Sequence, residues 1–246
     1  MRAPFLAMML AAVYYAGQVT AGTNTADILT AKEAADQLMF PNHTITTPSW
    51  SFDIHPGKGD GNDTTAFSGT VQHAMAQMEA AYPGWRKELD SYIDNQEQDI
   101  RKRDNSWKEY WRQPIDCDRD EATEPEDDRF EWALTSAIQV GIRYLDHLQF
   151  KGIHLGQGPK CSRVSCSYNS AIFACNADPD DVTLSSWSKV SDGAWMIMDA
   201  CHFDVPYKRY YCKGEATHEW HDSRRPWYVI VRGLKEGHEI DGDDRC

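Results

Sequence analysis

Apolar residues recur at helical spacing in four places along the chain. Phe67, Val71, Met75, Met78 and Tyr82 form the first stripe, and Pro83-Gly84 ends it because proline cannot continue a helix. Trp85, Leu89, Tyr92 or Ile93, Ile100, Trp107 and Trp111 form the second. The two read as an αα-hairpin with one apolar stripe per helix. The aromatic residues read as the surface on which that hairpin packs, with a sugar-binding platform as the alternative. Phe130, Leu134, Ala137, Gly141, Leu145 and Leu148, with Ile138 and Ile142 beside them, predict a helix over about 129–148. Gly152 and Gly156-Gln157-Gly158-Pro159 end it. Trp187, Val190, Ala194, Ile197 and Cys201 predict a further helix, N-capped by Thr183 or Ser185.

Extended patterns fill the gaps. Two short runs, 163–167 and 173–176, flank a polar turn and suggest a hairpin centred between Ser170 and Ala171. Residues 209–213 and 227–232 read as two closing strands, whereas 45–65, rich in Pro, Gly, Asp and Thr, reads as loop. The expected fold class is α+β. Its core is a two-layer sandwich, an antiparallel sheet with two helices on one face, preceded by an α-helical N-terminal region.

Cysteine distribution divides the chain. All seven cysteines lie beyond residue 116, and the 22–115 region has none. Between the two, 116–131 holds nine acids and two arginines, which reads as a solvated linker over 116–128. A disulfide-stabilised α+β domain is expected over 129–246. At the start, Arg2 precedes the apolar run 5–13, and Val19-Thr20-Ala21 offers small residues at a cleavage site. This is the pattern of a secretory signal peptide over 1–21, and the run is too short to span a bilayer. No later segment reads as a membrane span. Secretion implies an oxidising compartment, in which the thiols pair. It also makes the sequons at Asn42 and Asn62 candidate glycosylation sites.

The hairpin register sets Cys166 opposite Cys175. Cys161–Cys246 would then tie the tail to the hairpin's start. Cys201 is left with Cys117 or Cys212. The acidic surroundings of Cys117 would raise its thiol pKa and slow its oxidation, which favours Cys201–Cys212 and leaves Cys117 free or paired with another molecule. The expected bridged set is thus Cys161, Cys166, Cys175, Cys201, Cys212 and Cys246.

Net charge is −13 and the pI about 5.0, with no basic stripe longer than Arg101-Lys102-Arg103, which disfavours nucleic acid as a partner. His218-Glu219-Trp220-His221-Asp222 concentrates possible metal ligands and acid/base groups. Its histidines are three apart, not four, and on a strand such positions face opposite ways, so a mononuclear metal site is disfavoured. A ribonuclease-like hydrolase would use His218, Glu219, His221 and Arg224, with Arg225 beside them. No Gly-x-Ser-x-Gly elbow occurs. Asp241-Gly242-Asp243-Asp244 lacks the spacing of a calcium loop and reads as an acidic tail. No catalytic, metal or cofactor-binding set is assigned.

Residues 156–176, Gly-Gln-Gly-Pro-Lys-Cys-Ser-Arg-Val-Ser-Cys-Ser-Tyr-Asn-Ser-Ala-Ile-Phe-Ala-Cys-Asn, resemble a motif of fungal small secreted cysteine-rich proteins, which are candidate effectors. The resemblance reaches back to Ser136-Ala137-Ile138 and Gly141-Ile142-Arg143-Tyr144-Leu145. It reaches forward through Ala200-Cys201 and Trp227-Tyr228-Val229-Ile230-Val231 to Cys246, so it covers about 129–246. Where the pattern has a cysteine at the start of the second helix, this chain has Thr183-Leu184-Ser185. The resemblance implies no enzymatic activity. It implies an effector-like or toxin-like interaction protein acting on an extracellular or host protein or glycan, and by analogy a two-layer killer-toxin-like fold.

Overall fold

Side-chain alternation governs the first ordered stretch. In Ser49-Trp50-Ser51-Phe52-Asp53, Trp50 and Phe52 are buried while Ser49 and Ser51 face solvent, the period-2 pattern of a half-buried strand. The computed structural model describes residues 37, 40–58, 63–100, 105–117, 131–148, 153–203, 211–218, 227–234 and 246. The N-terminal part begins with β1 (Thr44–Thr46), β2 (Ser49–Asp53) and β3 (Thr64–Ser68), where β2 and β3 pair antiparallel. Helices α1 (Val71–Ala81) and α2 (Trp85–Ile100) follow. Thr70 caps α1, its hydroxyl accepting from the His73 amide. Pro83-Gly84 separates the helices as expected, with Gly84 at φ +93°. Val71, Met75 and Met78 of α1, and Trp85, Leu89 and Ile93 of α2, are all buried.

The main sheet has five strands in the order β1-β6-β7-β12-β11, with β6 (Lys160–Ser167), β7 (Ser170–Asn176), β12 (Trp227–Gly233) and β11 (Gly214–His218). β1 joins β6 in parallel, and the other neighbours run antiparallel. Helices α3 (Thr135–His147) and α4 (Ser188–Ala200) pack on one face of this sheet, together with α1. Gly141 brings α3 onto Ser165 and Ile172, and Gly193 brings α4 onto Trp111 and Val229. The opposite face carries a smaller cluster, Phe40, Phe173 and Ile230 around Cys161, Cys166 and Cys175. Three small sheets complete the fold: β2–β3; β4 (Ala133–Leu134), β10 (Tyr211–Cys212) and β9 (His202–Phe203); and β5 (Ile153–His154) with β8 (Thr183–Leu184).

Several expectations are corrected. The molecule is α+β but not a two-helix, two-layer sandwich: the main sheet is mixed and five-stranded. Nor is the N-terminal region simply helical, because 45–65 contributes strands ahead of α1 and α2, and β1 completes the main sheet. Trp50, Phe52 and Met75 lie in one core cluster with Trp187 and Val229, so residues on both sides of the acidic stretch bury each other. The helix expected over 129–148 starts at Thr135, because Ala133 and Leu134 pair with β10. Its successor starts at Ser188, not at Thr183 or Ser185, because Thr183 and Leu184 pair with β5.

The disulfides also differ from expectation. Cys117 pairs with Cys201, Cys161 with Cys175, and Cys166 with Cys246; Cys212 is the free thiol. For the two bridges that involve the hairpin, the cause is register. The β6–β7 turn centres on Tyr168 and Asn169, both at positive φ as a two-residue primed turn requires. The ladder shifts between Arg163 and Ser165, so Val164 is an extra residue. Cys161 therefore faces Cys175, and Cys166 faces Ala171.

Candidate functional site

A half-enclosed cleft of about 1460 Å³ opens between the β2–β3 hairpin and α2 on one side and the end of α3, β5 and the 185–187 segment on the other. Its floor is apolar. Phe52, Trp85, Leu89 and Trp187 are buried there. Trp187 stacks on Trp50 with ring centroids 4.6 Å apart, which fastens the start of α4 to β2. The Trp85 indole donates to the Asp53 carbonyl at 2.8 Å and holds α2 against the same strand. Around the floor the wall is hydroxylic, with Thr47, Ser49, Ser51, Thr64 and Ser185 all exposed. The sequence carries 38 acids and 25 basic residues; among the described residues this wall has one carboxylate, Asp53, and one ammonium, Lys160.

Among the described residues two histidines line it. His147 sits on the last turn of α3, 7% exposed. Its Nδ1 lies 2.7 Å from the carbonyl of Arg143. A carbonyl only accepts, so Nδ1 carries the hydrogen and Nε2 of the neutral ring is an acceptor. That Nε2 is buried without a hydrogen-bond partner among the described residues. His154 is exposed at the rim, its Nδ1 2.5 Å from an Asp181 carboxylate oxygen, while the other oxygen accepts from the Gly156 amide at 2.8 Å. The carboxylate fixes the His154 tautomer and ring plane.

The residues singled out in the sequence lie elsewhere. His218 ends β11 and is 6% exposed. It stacks on Trp227 at 4.9 Å and meets the edge of Trp111 at 5.0 Å, with Tyr110 parallel at 6.2 Å. Burial, with the nearby Lys189 charge, pushes the imidazole down to about 4, so it is neutral at physiological pH. Glu219, His221, Arg224 and Arg225 lie outside the described residues, as do 1–21, Asn62 and 241–244. Asn42 is exposed just ahead of β1. Cys212 is fully buried, and burial pushes its thiol up to about 11. Among the described residues no group of three or more His, Cys, Asp or Glu side chains is placed to hold a metal ion. No helix among them is long and apolar enough to cross a membrane.

His147 and His154 carry no motif that sequence reasoning could find. Their common site is made by segments about a hundred residues apart. Fold and site together define a cysteine-rich α+β chain, tied by three disulfides, with an open hydroxyl-lined cleft. No protein-family profile, no curated protein and no solved structure matches the chain.

Proposed function

We propose that this chain is a secreted interaction protein, effector-like or toxin-like, which acts on an extracellular or host target by binding it in the cleft rather than by turning over a substrate. The observation that carries this reading is the cleft itself: a volume of about 1460 Å³ with an apolar floor and a hydroxylic wall. The signal-peptide pattern and the three disulfides support an oxidising, extracellular setting. The resemblance of 129–246 to fungal secreted cysteine-rich proteins supports the same reading, and so does the exposed sequon at Asn42.

The hydrolase reading gains little from His218, whose ring is packed inside an aromatic cluster. Oxidised protein purified from culture medium is assayed on RNA beside His218→Ala and His221→Ala variants. The expected result is no turnover by any of the three. Turnover by the wild type that a folded His221→Ala variant lacks would overturn the binding reading in favour of a hydrolase.

A further inference from the structure

We propose that the cleft takes an extended peptide segment, which adds a strand to the open edge of β2 by pairing its backbone with Ser49 and Ser51. The proposal rests on the reading of the chain as a protein that binds through this cleft, and it names the class of partner.

Backbone direction supplies the first argument. Among the described strands β2 pairs with β3 alone. Their ladder runs on at both ends, where the Gly69 N–H donates to the Pro48 carbonyl and the Ile54 N–H to the Asp63 carbonyl, each at 3.0 Å. Successive residues of a strand bond to opposite sides, so Trp50 and Phe52 turn their backbone groups toward β3. Ser49, Ser51 and Asp53 turn theirs away from it. On that outer edge the Asp53 carbonyl already accepts from the Trp85 indole at 2.8 Å. The N–H and C=O of Ser49 and of Ser51 have no such partner among the described residues, and both serines are exposed in the cleft wall.

Spacing supplies the second. Along a strand these donor–acceptor pairs repeat about every 7 Å, which is the repeat of another extended backbone. Strand addition to an open edge uses this match. Folded proteins blunt such edges with lysine, a bulge or a covering segment. Ser49-Trp50-Ser51-Phe52-Asp53 has no lysine, and its register with β3 is unbroken. The edge is recessed, because the end of α3, β5 and the 185–187 segment stand across the cleft from it. A single strand fits such a recess better than the sheet of a second copy does.

The two faces of β2 supply the third. An added strand continues both of them. Its inward side chains meet the apolar floor, where Trp187 stacks on Trp50 and Trp85 meets the edge of Phe52 at 5.1 Å. Its outward side chains continue the hydroxylic row of Ser49 and Ser51. The partner segment therefore alternates apolar and polar residues.

The test uses the full oxidised chain, ¹⁵N-labelled, and an equimolar pool of end-capped heptapeptides in which Val, Ile, Phe or Tyr alternates with Ser, Thr or Lys. At millimolar concentration the pool should move the Ser49 and Ser51 amide protons downfield and slow their exchange with solvent roughly tenfold. The same pool N-methylated throughout, whose methyl groups block backbone pairing, should leave both amides unchanged. Ser51→Pro removes an outer-edge donor and leaves the bonds to β3 in place, so it should weaken peptide binding by roughly tenfold. Should this variant fail to fold, the wild-type exchange rates alone decide. Unchanged exchange at Ser49 and Ser51, or an equal response to the methylated pool, overturns the proposal. Cleft signals that move with cellohexaose or chitohexaose, while those two amides ignore the peptides, overturn it in favour of a glycan and leave the binding reading intact. If neither peptides nor sugars move any cleft signal, both fail.

Discussion

At the scale of single residues, burial explains the chemistry of the titratable groups better than sequence neighbourhood does. His218 stood out in the sequence because acids and another histidine surround it, yet its ring is held between Trp227 and Trp111, and burial keeps it neutral. Its folded pKa of about 4 lies below the unfolded value of 6.5, so the unfolded chain takes up the proton first as pH falls. The stabilisation is full above pH 6.5 and is lost on the way down to about 4. Burial lowers the His43 imidazole as well, which acts in the same sense. Across that window the urea midpoint of the wild type should fall relative to that of His218→Phe, by about 2 kcal/mol, allowing for residual solvent at the ring. Parallel pH profiles would show that the ring is not held neutral. Cys212 offers a second check. Its buried, strongly protonated thiol should ignore Ellman's reagent in the native protein and react as one thiol per chain after unfolding. Rapid native labelling, or labelling at Cys117, would contradict the structure.

At the scale of elements, legibility followed periodicity. The α1 and α2 stripes were readable because Val71, Met75 and Met78, then Trp85, Leu89 and Ile93, repeat at helical spacing and are buried. β2 was missed because its alternating run is only five residues long and lies among Pro, Gly, Asp and Thr. The β6–β7 hairpin was visible, but its register was not. No glycine marks the turn at Tyr168-Asn169, and the bulge at Val164 shifts every residue before it. That slip moved the expected pairings of Cys161, Cys166, Cys175 and Cys246; the expected Cys201–Cys212 bridge failed separately, because acidic neighbours do not keep Cys117 from Cys201. Close helix–sheet contact at two glycines is equally silent in sequence, although Gly141 falls on the predicted apolar face. A Cβ at position 193 would press on the Trp111 ring and on Val229, the latter at 2.7 Å. Gly193→Ala should therefore cost about 1–3 kcal/mol despite the better helix propensity of alanine, read as a lower denaturation midpoint. A variant as stable as wild type would mean that α4 sits further from the sheet.

At the scale of the whole molecule, the cleft depends on distant parts of the chain acting as one body. One wall comes from β2, β3 and α2, the other from the end of α3, β5 and the 185–187 segment. No sequence window contains it, which is why neither the cleft nor His147 could be anticipated. The structure joins the regions through the parallel β1–β6 pair, the Trp50–Trp187 stack and the Cys117–Cys201 bridge. That bridge closes a loop of 84 residues, long enough to contribute about 3–5 kcal/mol by restricting the unfolded chain. The proposed secretion adds its own expectation: N-terminal sequencing of protein from the medium should begin near Gly22, and recovery of Met1 from an intracellular pool would contradict it. The most direct test of a cleft built jointly by both regions is peptide mapping of the oxidised protein without reduction. The account predicts linked peptides for Cys117–Cys201, Cys161–Cys175 and Cys166–Cys246, with Cys212 recovered as a free thiol. A Cys201–Cys212 peptide with Cys117 unpaired would break the covalent tie between the regions and contradict it.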